Sequence, residues 1–371
     1  MTALAAAMAP AASAAEGENC LKVETKNVQL LGTVTDAGQV VSGMVIHYSN
    51  NPLVTVSGVG LDTYTVHAVN NIDDELAGTG VVSYGNYEID RKIVKTEVRG
   101  SQVTVYFDQS EGATLCYTSA SRNYPGDLTY TITQNKPITV STLGLFPESY
   151  TTDYFCDNSV LDEEVAKFTS EIVPGGINYQ LYKPEGGADK LVVWFHGNGE
   201  GDMLGSNNNM AQMLGNRGAV AWASDEFQEI LGGAYVLAFQ APDTWYYAQR
   251  DGLLDQAAAE IEAVVSVYGI DPGKIILTGC SAGGYMSTRM LIAHPELFAA
   301  AMINCPALDV ATDRGGQTPT DDELRAVKAA GVPIWLVQGQ TDASVATDAC
   351  SKRMFGFLSE NEQVTETRIA Q

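Results

Sequence analysis

The chain changes its hydrophobic pattern near residue 150. Before that point, short runs rich in Val, Thr, Ile and Tyr often alternate apolar with polar positions, and clusters of Gly, Asn, Asp and Ser separate them. Many short strands within roughly 130 residues are typical of a β-sandwich of immunoglobulin-like size. The pattern therefore predicts an all-β immunoglobulin-like sandwich domain over residues 16–150. Its predicted strands are residues 40–49, 62–69, 87–98, 102–108 and 128–134.

Beyond residue 150 the apolar runs become continuous, as expected for strands that are buried on both faces of a parallel sheet. Amphipathic stretches at 253–269 and 320–331 predict helices between them, and Thr320 and Glu323 form a capping-box pattern. Strands that alternate with helices predict an α/β doubly wound domain over residues 151–371. The predicted strands are residues 191–197, 235–242, 274–279, 299–306 and 333–339.

Composition narrows the possible partners. The 371 residues are 45% hydrophobic and 18% charged, which excludes a disordered chain. Asp and Glu number 45 against 21 Lys and Arg, a net charge of −24, so nucleic acid and anionic membrane surfaces are poor partners. No apolar run is long enough for a membrane span. With four His and no C-x-x-C spacing, we expect neither a metal site nor a cofactor.

Residues 1–15 are uncharged, rich in Ala and end in small residues, which predicts the remnant of a secretory signal peptide. A disordered Ala-rich start is the alternative, since no basic segment precedes the apolar one. The expected location is secreted or at the cell surface, where disulfides are permitted. Because Cys280 and Cys305 end neighbouring predicted strands, and Cys350 follows the next one, we expect Cys305 to pair with Cys350 or Cys280.

The first chemical motif is G-x-S-x-G, from Gly279 to Gly283. It follows a predicted buried strand and precedes a helical pattern, which is the context of a nucleophile elbow. The turn would expose the hydroxyl of Ser281 and direct the N–H of Ala282 into an oxyanion hole. A plain strand–helix turn is the alternative interpretation.

The second motif is H-G-N-G, from His196 to Gly199, at the end of an earlier predicted strand. Such a loop can give the oxyanion a second backbone N–H, here at Gly197 or Asn198 and most directly at Asn198. A glycine-rich loop without function is the alternative, and a phosphate loop is excluded because no G-K-[ST] follows. We interpret His196 as a brace of the loop rather than a titrating base.

An acid and a base would complete a Ser-His-Asp triad. Asp342 follows a strand after the nucleophile, where this fold carries its acid; a turn Asp is the alternative, and Asp309 is a reserve acid. His294 is thirteen residues beyond Ser281, about 20 Å along a helix, and cannot reach the hydroxyl. His47 and His67 lie in the first domain. We therefore expect the catalytic His after Gln371, and a nearly inactive chain without it.

Several segments together resemble a known group. The sequence is similar to bacterial exported carboxylesterases that join an immunoglobulin-like domain to an α/β-hydrolase domain related to poly(3-hydroxybutyrate) depolymerases. The resemblance implies Ser281 as nucleophile, Asp342 as acid and Trp222 near the rim of the active site. The chain departs from the group by lacking its C-terminal His segment. The segments are YTITQNKPI, VVWFHGNGEG, RGAVAWASDEFQ, GCSAGGYMSTRML, INCPAL and PIWLVQGQTDASV.

The sequence is compatible with three functions. The first is a secreted serine carboxylesterase for small-molecule or polysaccharide-linked esters with short acyl or aryl groups. The second is a serine peptidase of the prolyl-oligopeptidase type, although no propeller repeats are visible. The third is a non-catalytic protein that binds carbohydrate or a surface through an inactive hydrolase fold. A homo-oligomer formed through the first domain is a further expectation.

Overall fold

The structure is a computed structural model that describes residues 21–72, 74–202 and 209–360. The proposed signal-peptide remnant at 1–15 and Cys20 lie outside the described residues. Within them the chain forms two units, the first built from β-strands and the second from strands alternating with helices.

The first unit contains two sheets and a small hairpin. One sheet has the strand order β3-β11-β12-β1-β2-β7-β6 and the other the order β10-β4-β5, while β8 and β9 form the hairpin. The elements are β1 (Leu21–Thr35), β2 (Gly38–His47), β3 (Val54–Ser57), β4 (Tyr64–Asn71), α1 (Asp74–Ala77), β5 (Tyr87–Asp90), β6 (Ile93–Arg99), β7 (Gln102–Phe107), β8 (Leu115–Tyr117), β9 (Asn123–Pro125), β10 (Asp127–Gln134), β11 (Ile138–Thr142) and β12 (Leu145–Leu161).

Alternation of apolar residues packs the two sheets on one another. In β4 Tyr64, Val66 and Ala68 face the same core as Val103 and Val105 of β7, and all five side chains are buried. The five predicted strands are present, and the segment 87–98 divides into β5 and β6. The predicted boundary after residue 150 is wrong, because β12 continues to Leu161 and pairs in parallel with β1. Assignment of this sandwich to the immunoglobulin-like class stays a prediction.

The second unit has a sheet of strand order β13-β14-β16-β15-β17-β18-β19. All five predicted strands and both predicted helices are present, including the capping box of Thr320 and Glu323. The sheet is mixed, because β13 and β14 join its edge antiparallel. The elements are β13 (Phe168–Glu171), β14 (Tyr179–Tyr182), β15 (Leu191–Phe195), α2 (Ala211–Leu214), α3 (Asp225–Leu231), β16 (Tyr235–Phe239), α4 (Leu253–Tyr268), β17 (Ile275–Cys280), α5 (Ala282–Ala293), β18 (Ala300–Asn304), α6 (Asp321–Ala329), β19 (Ile334–Val337) and α7 (Ser351–Leu358).

Both faces of this sheet are covered. Val193 of β15 packs into a core that includes residues of α4, α5, α6 and α7. Trp194 faces the opposite side, where Met213 of α2 and Val34 of the first unit cover it. Arg217 reinforces that junction by donating to the carbonyl of Val34 at 3.1 Å. The first unit therefore helps to cover one face of the α/β sheet. Because β15, β17, β18 and β19 are parallel, the loops that follow them lie at the same carboxyl edge of the sheet.

The predicted cysteine pairing is wrong. All five described cysteines are free. Cys280 packs with the core on the Trp194 face of the sheet, whereas Cys305 packs with the core on the opposite face. Cys350 instead donates its thiol to Asp309 Oδ1 at 2.9 Å.

Candidate active site

Ser281 lies on a strained turn between β17 and α5. Its φ of 54° and ψ of −115° are unusual for a residue other than Gly, and such strain is concentrated at functional sites. Backbone hydrogen bonds hold the turn: its N–H donates to Asn304, and its carbonyl accepts from Tyr285 and Ala307 at 3.0 Å each. The side chain is partly exposed. This geometry favours a nucleophile elbow over a plain strand–helix turn.

The two glycines of the motif are required by close backbone contacts. A Cβ on Gly279 would lie 2.6 Å from the carbonyl oxygen of Gly283, and a Cβ on Gly283 would lie 1.9 Å from that of Phe195. Both distances are far below van der Waals contact. The pattern G-x-S-x-G therefore reflects how tightly α5 packs onto β15 and β17 beneath Ser281.

The H-G-N-G loop passes beside this elbow. A Cβ on Gly197 would lie 3.7 Å from the sulfur of Cys280, the residue before Ser281. Burial raises the pKa of the Glu200 carboxyl, and the N–H of Gly197 is one of the weaker influences that lower this pKa. Among the described residues, the N–H groups of Asn198 and Ala282 have no hydrogen-bond partner. These two N–H groups, which lie on the loops that follow β15 and β17, are therefore available to bind an oxyanion.

His196 is fully buried, and both of its ring nitrogens are occupied. Nδ1 lies 2.5 Å from the carbonyl oxygen of Gly197, and Nε2 accepts the N–H of Ala241 at 2.9 Å, so Nδ1 carries the proton. Burial lowers the pKa of His196 from 6.5 to about 3. A neutral imidazole with both nitrogens bonded cannot act as the base at neutral pH. The interpretation of His196 as a brace agrees with these contacts.

The buried imidazole of His196 should make the folding stability decrease as the pH is lowered. Between pH 6.5 and 3 the unfolded chain binds a proton at His196 that the folded chain does not, so acid favours unfolding. The free energy of unfolding should fall by about 1.4 kcal/mol per pH unit below about pH 6 from this group alone. We expect the stability difference between the wild type and His196→Gln to narrow by that amount, as measured by urea unfolding at pH 7, 6 and 5. A stability difference between the two proteins that is the same at all three pH values would show that folding does not lower the pKa of His196.

Asp342 lies in the loop after β19, two strands from the elbow. Its Oδ1 accepts the N–H groups of Ser344 and Val345 at 2.9 Å each, and Oδ2 accepts from Gln338 Nε2 at 2.9 Å. The Val345 N–H is the largest of the influences that lower the pKa of this carboxyl. Asp342 therefore does cap its own turn, as the alternative interpretation holds. Because Oδ2 has a single bonded partner, an ionised oxygen still has room for an imidazole N–H.

The reserve acid is engaged elsewhere, since Asp309 accepts the thiol of Cys350. No histidine completes the site, and all four lie in the described part of the chain. His294 ends α5 and lies 2.9 Å from Asp255 Oδ1, and His67 lies 2.9 Å from Asp90 Oδ1. His47 ends β2 in the first unit. The structure therefore places Ser281, Ala282, Asn198 and Asp342 at one edge of the sheet without an imidazole.

Trp222 lies in the 3₁₀ turn Val220–Ala223 before α3. Its ring packs 5.0 Å from that of Phe227, and its carbonyl accepts from Gln228. The described residues show no contact between Trp222 and Ser281, Asn198 or Asp342. Its place at the rim of the site stays a prediction.

Two residues of the first unit that the sequence analysis missed contact the H-G-N-G loop and its neighbours. Arg122, at the β8–β9 hairpin, donates from Nη2 to Asp243 Oδ1 at 2.7 Å. With the Asn198 amide oriented so that its nitrogen donates to Thr244, the Asn198 side-chain oxygen accepts from Arg122 Nη1 at 2.9 Å. The neighbouring Asn123 donates to Glu200 Oε1 at 3.2 Å. Arg122 is almost fully buried. Nothing in the local sequence marks these residues, because their partners are about 75 to 120 positions away.

Two classes of site find no support in the described residues. They hold no group of three or more His, Cys, Asp or Glu side chains that could bind a metal ion. None of their helices is long and apolar enough to cross a membrane.

Comparisons with known proteins agree with this architecture. Residues 242–327, which include the elbow, match the prolyl oligopeptidase family. No curated protein matches the sequence. A solved thermostable esterase is 24% identical with a TM-score of 0.66, and the alignment covers 90% of this chain and 87% of that one. The fold is therefore that of the α/β-hydrolases.

Other solved structures match less of the chain. A poly(3-hydroxybutyrate) depolymerase from Bordetella parapertussis is 16% identical with a TM-score of 0.36, covering 53% of this chain and 79% of that one. An acylaminoacyl peptidase from Pyrococcus horikoshii is 15% identical with a TM-score of 0.40, covering 74% of this chain and 50% of that one.

Proposed function

We propose that this protein is a serine carboxylesterase that hydrolyses esters with short acyl or aryl groups. The observation that carries the proposal is Ser281 on a strained elbow, beside two N–H groups, of Ala282 and Asn198, that have no partner in the described structure. A partly exposed hydroxyl next to preorganised donors is the arrangement that acyl transfer requires. Export of the protein is part of the proposal and is based on residues 1–15 alone.

The mechanism follows from these positions. Ser281 Oγ attacks the ester carbonyl carbon, its proton passes to a base, and the two N–H groups bind the oxyanion of the tetrahedral intermediate. Collapse of the intermediate breaks the bond to the alkoxy oxygen, which takes the proton and leaves as the alcohol. Water then attacks the acyl-serine in the same way. Since none of the four histidines reaches Ser281, we propose that the base is an imidazole from outside this set, oriented by Asp342.

The alternatives are weighed by particular observations. The thermostable esterase resembles this chain over both units, which favours an ester substrate. The prolyl oligopeptidase match covers only the elbow region, so it supports the hydrolase fold more than a peptide substrate. The strained elbow weighs against a protein that only binds carbohydrate, because binding needs no strained serine.

Covalent trapping tests the proposal directly. The 371-residue chain is incubated with p-nitrophenyl acetate, and the tryptic peptide 275–289 is examined by mass spectrometry. Deacylation without a base should be slow, so we expect one acetyl group to accumulate on Ser281. Ser281→Ala should abolish this label without a change in melting temperature. Ser287→Ala removes a buried hydroxyl that bonds the Gly283 carbonyl on the same helix, and this variant should still be labelled.

Two outcomes would contradict the proposal. Acetylation that is confined to surface lysines, and equal in the wild type and Ser281→Ala, would show that Ser281 is not a nucleophile and would favour the binding protein. Labelling of Ser281 by a peptide p-nitroanilide as fast as by the ester would favour the peptidase.

A further inference from the structure

Arg314 is an exception among the arginines that the structure describes. Each of the other eight arginines in the described residues lies 3.8 Å or less from a carboxylate oxygen. Arg314 is exposed and has no carboxylate partner in that part of the chain. In a protein of net charge −24, one unpaired guanidinium beside a candidate active site is a distinctive feature.

The guanidinium of Arg314 is adjacent to the oxyanion loop. Its Nη1 lies 3.3 Å from the side-chain oxygen of Asn198 when that amide is oriented so that its nitrogen donates to Thr244. The backbone N–H of Asn198 is one of the two candidate oxyanion donors. On another side it lies 5.7 Å from the ring centre of Tyr246. That ring packs 5.2 Å from Tyr285, whose N–H bonds the carbonyl of Ser281. Arg314 therefore lies beside the Asn198 loop, and through the rings of Tyr246 and Tyr285 it is connected to the turn that carries Ser281.

The segment that carries Arg314 is well anchored. Gly316 donates to the carbonyl of Ala311 at 2.7 Å, and the N–H of Gln317 donates to the hydroxyl of Tyr285 at 3.2 Å. A Cβ on Gly316 would lie 2.6 Å from the carbonyl oxygen of Tyr246, so the turn fits closely against the protein. The backbone that carries Arg314 is thus held in place by the protein.

The nearby acidic groups leave Arg314 unneutralised. Asp243 is paired with Arg122 on the other side of Asn198, and Asp309 accepts the thiol of Cys350. Asp313, the preceding residue, is exposed and forms no ion pair with Arg314. Arg314 uses one of its five N–H donors on Asn198, which leaves the others free for a planar anion.

We propose that Arg314 forms a subsite for a carboxylate of the substrate, so that esters with a carboxylate near the scissile bond are preferred. The proposal rests on the proposed esterase function and names its substrate class. A guanidinium recognises a carboxylate through two parallel hydrogen bonds. Because the site is open to solvent, we expect a preference of about fivefold, and less at high salt.

The test uses esters that differ only in charge. One pair is 4-acetoxybenzoate and 4-acetoxybenzamide, and the other is the p-nitrophenyl monoester of adipic acid and its terminal amide. The rate of Ser281 acylation is measured for each ester, with the uncatalysed reaction subtracted. Arg314→Gln should lower the ratio of anionic to neutral rates about fivefold in at least one pair. The wild-type ratio should fall at high salt.

Arg250→Gln is the matched control. Arg250 is also exposed and lies 3.5 Å over the ring of Tyr247, but Asp251 neutralises it. Its removal should leave both ratios unchanged. Equal ratios in the wild type and Arg314→Gln would overturn the subsite, and so would an Arg314→Gln variant that slows neutral and anionic esters alike. If no ester acylates Ser281 in the wild type, the esterase function itself fails.

Discussion

Gly283→Ala is expected to cost about 3 kcal/mol or more of folding stability, the largest effect of any single methyl group at this site. The added Cβ would lie 1.9 Å from the carbonyl oxygen of Phe195 and 2.5 Å from that of His196. Both oxygens belong to backbone that cannot move without separating α5 from β15. Urea unfolding should show a much lower midpoint, and any folded variant should no longer be acylated at Ser281.

Gly356→Ala is the control for this substitution. Gly356 lies within α7, and a Cβ there would meet no atom within 4 Å. The same chemical change should therefore stabilise the protein, by about 0.5–1 kcal/mol, because Ala has the higher helix propensity. If Gly283→Ala unfolds at the same urea concentration as the wild type, the close packing of α5 under the elbow is wrong.

The α/β unit could be predicted well because its strands are long continuous apolar runs. Leu191–Phe195 and Ile275–Cys280 are buried almost throughout, and each is followed by a motif that requires the carboxyl edge of a sheet. The capping box of Thr320 and Glu323 marked the start of α6 from four residues alone. The local sequence was enough to predict an element wherever the segment's own residues determine its structure.

The sandwich was predicted less completely because several of its strands have weak local patterns. The strand β12 was divided by the boundary placed after residue 150, since Leu145–Leu161 contains many polar residues and a Pro. Its partner β1 was missed as a strand, and the parallel pairing of the two joins the two ends of the unit. Such pairing depends on contacts more than 120 residues apart, which periodicity does not report.

The candidate active site also contains residues that short motifs predict and residues that only the folded chain brings together. Ser281, Asn198 and Asp342 belong to short motifs after strands, so the sequence indicated their loops. Arg122 and Arg314 could not be found in this way, because one comes from a hairpin of the other unit and the other from an ordinary exposed turn. Both contact Asn198. The Arg122 contact exists only once the two units are folded together, and the Arg314 contact joins two distant loops of the second unit.

Turnover by the 371-residue chain should be about 10³-fold or more below that of a complete triad, because no imidazole reaches the hydroxyl of Ser281. The missing base slows the acylation of Ser281 as well, but p-nitrophenoxide is a good leaving group that needs no proton. With p-nitrophenyl acetate we therefore expect slow release of about one equivalent of p-nitrophenol and then a nearly flat trace, since serine is a much poorer leaving group in the acyl-enzyme. Added imidazole should raise the steady rate in proportion to its neutral form. Ser281→Ala should show neither the first equivalent nor the response to imidazole.

The pH dependence distinguishes this expectation from catalysis by a histidine of the chain. Without added imidazole, the slow steady rate should rise smoothly with hydroxide concentration between about pH 5.5 and 8. His196 cannot produce an inflection in this range, because burial holds its pKa at about 3 and Ala241 occupies its Nε2. Rapid turnover with an inflection between pH 6 and 7 would contradict the prediction. It would mean that one of the four histidines reaches Ser281 in a conformation that the structure does not show.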